Sequence, residues 1–176
     1  MRTLLTLSLL LYGSLSWAQL SLDEIRRELV FEEFNKEQTV SFYKRMSVLE
    51  EQDPVVLAYK GVSEALMAKV KWDPFSKLAH LADARDMIDE AIEMDRNNLE
   101  IRFLRFSLEY YVPSIFRISK NMEEDKEVII ANLRNLDGFY FEDDMVQFIL
   151  NFLDESELCT NEEVAFIQAN LTAPRT

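Results

Sequence analysis

The chain has 176 residues, 48% of them hydrophobic and 29% charged, with three glycines, four prolines, one cysteine and one histidine. That composition suits one globular domain; it excludes a disordered tail and an internal disulfide framework, and it disfavours a conventional zinc site. A formal charge of −13 disfavours nucleic acid, which is gripped by clustered cations.

Met1–Ala18 reads as a cleaved secretory signal. Arg2 supplies a positive start, Leu4–Tyr12 an apolar run too short to cross a bilayer, and Ser16 and Ala18 the small residues before a cut at Gln19. The remaining chain is expected to form one domain over 19–172 with a short tail at 173–176. Its address would be the periplasm or the cell exterior, with no membrane span in the mature chain.

Eight helices are expected in chain order. Ser21-Leu22-Asp23-Glu24 is a capping box that opens the first. The second covers about Lys36 to Glu51, with Val40, Tyr43, Met46 or Ser47, and Leu49 or Val48 facing inward. Asp53-Pro54 starts the third, which runs to about Val70. Asp73-Pro74 starts the fourth, through Leu78, Leu81, Ile88 and Ile92 to Met94. Leu99–Tyr111 is the fifth, ended by Pro113. The sixth opens at Asn121–Glu124 and closes near Gly138. Met145, Phe148, Ile149 and Phe152 mark the seventh, and the capping box Thr160-Asn161-Glu162-Glu163 opens the eighth. No useful stretch alternates with period two, so the fold class is all-α.

Two helices share a pattern. Tyr59, Val62, Ser63 and Leu66 in the third are matched 44 residues on by Phe103, Phe106, Ser107 and Tyr110 in the fifth. Between them lie Ala84, Ile88, Ala91 and the turn Asp95-Arg96-Asn97-Asn98. Over residues 56–111, roughly a third of the chain, this resembles the tetratricopeptide repeat. The resemblance implies a stack of antiparallel helix pairs that serves as a scaffold for protein contact. The chain departs from the family in having Arg96 where proline is usual and a unit of 44 residues; Ile130–Asp137 echoes the pattern only weakly.

The fifth helix is apolar almost all round, with Arg102, Arg105 and Glu109 as its narrow polar stripe. Such a helix is buried by neighbours on several sides. Its face of Leu104, Leu108 and Tyr111 is too apolar to stay wet. Either the C-terminal helices close over it, or it receives an apolar partner segment.

Catalytic signals are sparse. His80 lies beside Leu78 and Leu81 with no second histidine, and reads as a structural or surface residue. Cys159 sits among acidic neighbours that raise a thiol pKa, so it reads as an incidental thiol. The acidic clusters 123–125, 142–144 and 154–157 lack the ligand order of a calcium loop, and the first two fall at helix starts, where carboxylates complement the dipole. No cofactor or metal is expected, and no enzyme motif is present. Candidate partner-binding residues are Arg102, Arg105, Tyr111 and Lys60. The two arginines, one turn apart with Arg117 or Lys120 nearby in sequence, are suited to clamp a carboxylate unless internal acids pair with them. The leading expectation is a non-enzymatic, monomeric adaptor or envelope assembly factor that binds another protein or peptide. The alternative, from another class, is a carrier with an apolar cavity beneath the fifth helix, lined by Phe103, Leu104, Tyr110 and Tyr111.

Overall fold

The computed structural model describes residues 21–31, 34–50, 52–112, 121–135 and 143–171. The expected signal at Met1–Ala18, the tail at 173–176, Pro113, Arg117, Lys120 and the Asp137–Glu142 segment lie outside them. Among the described residues there are eight α-helices and no strand: α1 Leu22–Phe31, α2 Lys36–Ser47, α3 Pro54–Val70, α4 Pro74–Met94, α5 Leu99–Tyr111, α6 Met122–Arg134, α7 Asp143–Glu155 and α8 Asn161–Leu171.

The helix starts follow from side-chain chemistry. Ser21 and Glu24 exchange hydrogen bonds, with Ser21 N–H donating to Glu24 Oε2 at 2.9 Å and Glu24 N–H to Ser21 Oγ at 3.2 Å. Asp53 Oδ1 accepts from Val55 N–H and Asp73 Oδ1 from Ser76 N–H, each at 2.7 Å, with proline in the first turn behind both. Thr160 and Glu163 repeat the reciprocal box ahead of α8. A further box, Asn35 with Gln38, opens α2. Its inward face is Thr39, Phe42 and Met46, one position off the expected Val40 and Tyr43 face, and Val48 is left exposed. Phe42 offers more apolar surface to bury than Val40, which favours the rotation that turns it inward.

Antiparallel pairing organises the stack. In α3 and α4, Gly61 lies against Ala84 and Ile88 while Glu64 meets His80, so sequence numbers run in opposite senses across the pair. A methyl group on Gly61 would sit 2.7 Å from both Ala84 O and Ile88 Cγ1, so only glycine permits this approach. Helices α5 and α6 are likewise antiparallel, tied by Arg102 and Arg105 to Asp125 at one end and by Asn132 to Asn97 O at the other.

Two hydrophobic cores result, and α5 belongs to both. Ile101 and Leu104 join Ile25, Phe42, Met46, Tyr59 and Ile88 in an N-terminal core. Leu99, Phe103 and Phe106 join Ile129, Ile149, Leu153 and Ile167 in a C-terminal one. Even the polar residues Glu100, Arg102, Arg105 and Glu109 of α5 are buried. The fifth helix is therefore the wall shared by two cores, enclosed as its apolar circumference predicts.

Candidate functional site

The seam between the two cores is imperfectly filled. It holds a cavity of about 360 Å³, open to solvent on one side. From the N-terminal core Leu29, Tyr59, Val62 and Leu66 line it; from the C-terminal core Phe103, Met145, Phe148 and Phe152; and Leu104 and Leu108 form the α5 wall. Lys69, Lys77 and Tyr111 also line it, and Tyr111, 64% exposed, marks the open side. The Lys69 ammonium stands 5.7 Å from the centre of the Tyr111 ring. Neither Lys69 nor Lys77 makes an ion pair among the described residues. Ser107 Oγ, on the α5 wall, donates to Leu104 O at 3.0 Å, which turns its proton back to the helix.

Helix α7 meets α5 through aromatic rings, two of which, Phe148 and Phe152, also line the cavity. Phe152 packs edge-on against Phe103, Phe106, Tyr110 and Tyr111, with ring centroids 5.3 to 6.0 Å apart, and Phe148 does the same to Phe103. Leu104, Leu108 and Tyr111, the face the sequence marks as too apolar for water, line the volume together with Phe148 and Phe152. Of the four expected lining residues, Phe103, Leu104 and Tyr111 line the cavity; Tyr110 instead packs on the C-terminal core.

Arg102, Arg105 and Lys60 are placed elsewhere. Arg102 Nη1 donates to Glu124 Oε1 at 2.6 Å and to Asp125 Oδ1 at 2.8 Å. Arg105 grips Asp125 with Nε and Nη2, both at 2.7 Å, and reaches Asp89 with Nη1 at 2.9 Å. Asp125 is fully buried, and the two arginines are only 4% and 6% exposed. Burial works against the Arg105 charge, but Asp125 and Asp89 outweigh it and hold the guanidinium more firmly protonated than usual. The hydrogen bond from Arg102 pulls the Glu124 carboxyl below its ordinary range. Lys60 is buried and donates from Nζ to Leu49 O at 3.1 Å. The guanidinium pair thus ties α5 to α4 and α6 and does not face the cavity.

A second, partly buried ion pair lies at the N-terminal end of α5, near Arg102 in sequence. Glu100 accepts from Arg26 Nε and Nη2, both at 2.7 Å, and from the Tyr59 hydroxyl at 2.6 Å. Burial first, then the neighbouring Glu100 charge, push the Tyr59 hydroxyl well above its usual pKa, so it stays a donor. This knot fixes Tyr59, whose ring lines the cavity floor.

The remaining chemical groups are held in structural contacts. His80 Nδ1 lies 2.5 Å from Glu64 Oε2, with the Tyr43 ring edge-on at 6.2 Å. Burial, then the Glu163 charge, raise the Cys159 thiol and oppose thiolate formation. Both Glu109 carboxylate oxygens are buried without a hydrogen-bond partner among the described residues. No group of three or more His, Cys, Asp or Glu side chains among the described residues is arranged to hold a metal ion.

Sequence reasoning passed over Val62, Leu66, Met145 and Phe148 as cavity walls, and Trp72 and Phe75 as exposed aromatics. The first four fit a core pattern that does not say where a core stops short. The last two carried a readable signal, the lysines around them in an otherwise acidic chain. Comparison with protein-family models, with curated proteins and with solved structures finds no match to this chain.

Proposed function

We propose that the protein is a non-enzymatic carrier that holds a small apolar or amphipathic molecule in the cavity at the seam of its two cores. The observation that carries this reading is the cavity itself. Its volume lies within the range of ligand sites, about 300–1,000 Å³, and its wall is almost wholly hydrophobic. Two lysines without ion pairs among the described residues stand at that wall in a chain of net charge −13, which favours a molecule with an anionic end. The hydrocarbon part would lie against Leu104, Leu108 and Phe148, and the anionic end near Lys69 and Lys77.

The adaptor reading rests on the tetratricopeptide resemblance and on a guanidinium clamp. Internal carboxylates occupy that clamp, so a binding role no longer has the arginines to rest on, whereas the cavity needs neither. We take the expected signal at Met1–Ala18 as support for export to the periplasm or the cell exterior.

Native mass spectrometry of protein purified from its own cells tests the carrier. Ala65 of α3 also lines the cavity; a small molecule retained by the wild type and absent from Ala65→Phe, which adds a ring at that wall, is the expected result. A wild-type protein that carries no small molecule and takes up no fluorescent acyl-chain probe would contradict it.

A further inference from the structure

We propose that the turn between α3 and α4 is a docking site for an anionic lipid bilayer. Trp72 is 91% exposed and Phe75 85%, the two most exposed large hydrophobic side chains among the described residues, and Leu78 one turn on is 39% exposed. Both ends of this tip are anchored. Trp72 follows Lys71, the C-cap of α3, and Phe75 lies in the first turn of α4, behind the Asp73 cap and Pro74. Two aromatic rings held out in water on a rigid turn are costly unless something apolar receives them.

Charge selects the receiver. Residues 69–77 read Lys-Val-Lys-Trp-Asp-Pro-Phe-Ser-Lys, three lysines against one aspartate, inside a chain of net charge −13. The aspartate is taken up by capping α4, with its carboxylate on Ser76 N–H. Lys69, Lys71 and Lys77 make no ion pair among the described residues. Rings that enter the acyl boundary beside lysines that meet phosphate headgroups are the combination by which a peripheral protein holds an anionic membrane. The general acidity of the chain does not forbid this, because charges farther than about a Debye length, ~8 Å at physiological salt, are largely screened. A protein partner would have to match three lysines beside two rings that project 91% and 85% exposed from a helix turn. The flat lipid surface fits it better.

The tip is continuous with the cavity mouth, since Lys69 and Lys77 belong to both. Docking would therefore bring the open side of the cavity to the lipid surface, and an acyl chain could pass between them without crossing bulk water. That passage rests on the carrier reading; the docking does not.

Vesicle sedimentation with the purified chain, processed as its host processes it, separates the two. Binding is expected to vesicles of phosphatidylcholine mixed with phosphatidylglycerol, to weaken with salt, and to be much weaker on phosphatidylcholine alone. The emission of Trp72 should shift to the blue on binding. The double variant Trp72→Ala/Phe75→Ala, altered only at exposed positions, should lose about tenfold or more in binding while its helical circular dichroism is unchanged. Lys69→Glu/Lys77→Glu should remove the preference for anionic vesicles. The cavity-blocked Ala65→Phe should still bind vesicles, so a failed carrier reading leaves the docking result intact. Absence of binding to the anionic vesicles would overturn the proposal, as would a double variant that binds like wild type. A polypeptide captured through Trp72 and Phe75 by a chain that ignores vesicles would overturn it too.

Discussion

Asp125 holds two guanidinium groups out of water at once. Removing one partner from a buried ion pair leaves an uncompensated charge and costs about 3–5 kcal/mol. Asp125→Ala should therefore lower the urea midpoint severely, and Arg105→Ala should do so by stranding Asp125 in turn. Glu124 makes an equally short contact to Arg102 but its side chain is 60% exposed, so Glu124→Ala should cost about 1 kcal/mol or less. A pair of arginines poised for an external partner would give the opposite order, with Arg105→Ala unfolding normally.

Glu163 has a sign that can be checked by pH. Burial raises its carboxyl, but the Thr160 N–H and Lys126 outweigh this and leave it below its ordinary value of 4.5. A lowered folded-state pKa means that its stabilisation is present above about pH 4.5 and is lost as pH falls through the folded value. Thermal unfolding at pH 6, 4.5 and 3 should show a steeper acid loss for wild type than for Glu163→Gln. Equal slopes would detach this carboxylate from the acid transition.

At the level of the helix, Gly61 is the tightest point of the α3–α4 pair. Alanine there would gain about 1 kcal/mol of helix propensity, yet its methyl would meet the Ala84 carbonyl, which cannot yield without parting the helices. Overpacking of this kind costs about 1–3 kcal/mol, so Gly61→Ala should be net destabilising in chemical unfolding. A stabilised variant would mean that the pair is looser than the structure has it.

The helices themselves were largely written in local chemistry. Asp53-Pro54, Asp73-Pro74, Ser21 with Glu24 and Thr160 with Glu163 each satisfy amides within three or four residues, so position in the chain suffices to locate them. The same is true of α5, whose apolar circumference implies neighbours all round. Phase and partners were harder. Residues 39, 42 and 46 form the inward face of α2, where the spacing points to Val40 and Tyr43 with Met46 or Ser47; of these, Met46 is buried. Arg102 and Arg105 were visible as a buried polar stripe, but Asp125, 20 residues from Arg105, could not be chosen among the many acids of the chain without coordinates. The cavity was foreseeable as one of two alternatives for the apolar face of α5, with Phe103, Leu104 and Tyr111 on its wall. Whether cover is complete depends on where Phe148 and Phe152 of α7 stop, and no pattern in α5 encodes that.

For the molecule as a whole, two cores meet along one helix and leave a volume that neither fills. That volume, about 360 Å³ and lined mostly by apolar side chains, is what the carrier proposal rests on. Among the described residues no helix is long and apolar enough to cross a membrane. Occupancy should also stabilise the fold, because a ligand that binds only the folded chain raises the unfolding free energy in proportion to the logarithm of its concentration.

Titration of the delipidated protein with a fluorescent, carboxylate-headed acyl chain, followed in parallel with Ala65→Phe, puts the carrier to its plainest test. Saturable one-to-one binding by the wild type, a rising melting temperature with added probe, and loss of both in Ala65→Phe are the outcomes expected of a cavity at the seam. Probe binding that is absent, or equal in the two proteins, would show that the space beneath α5 is not where this protein works.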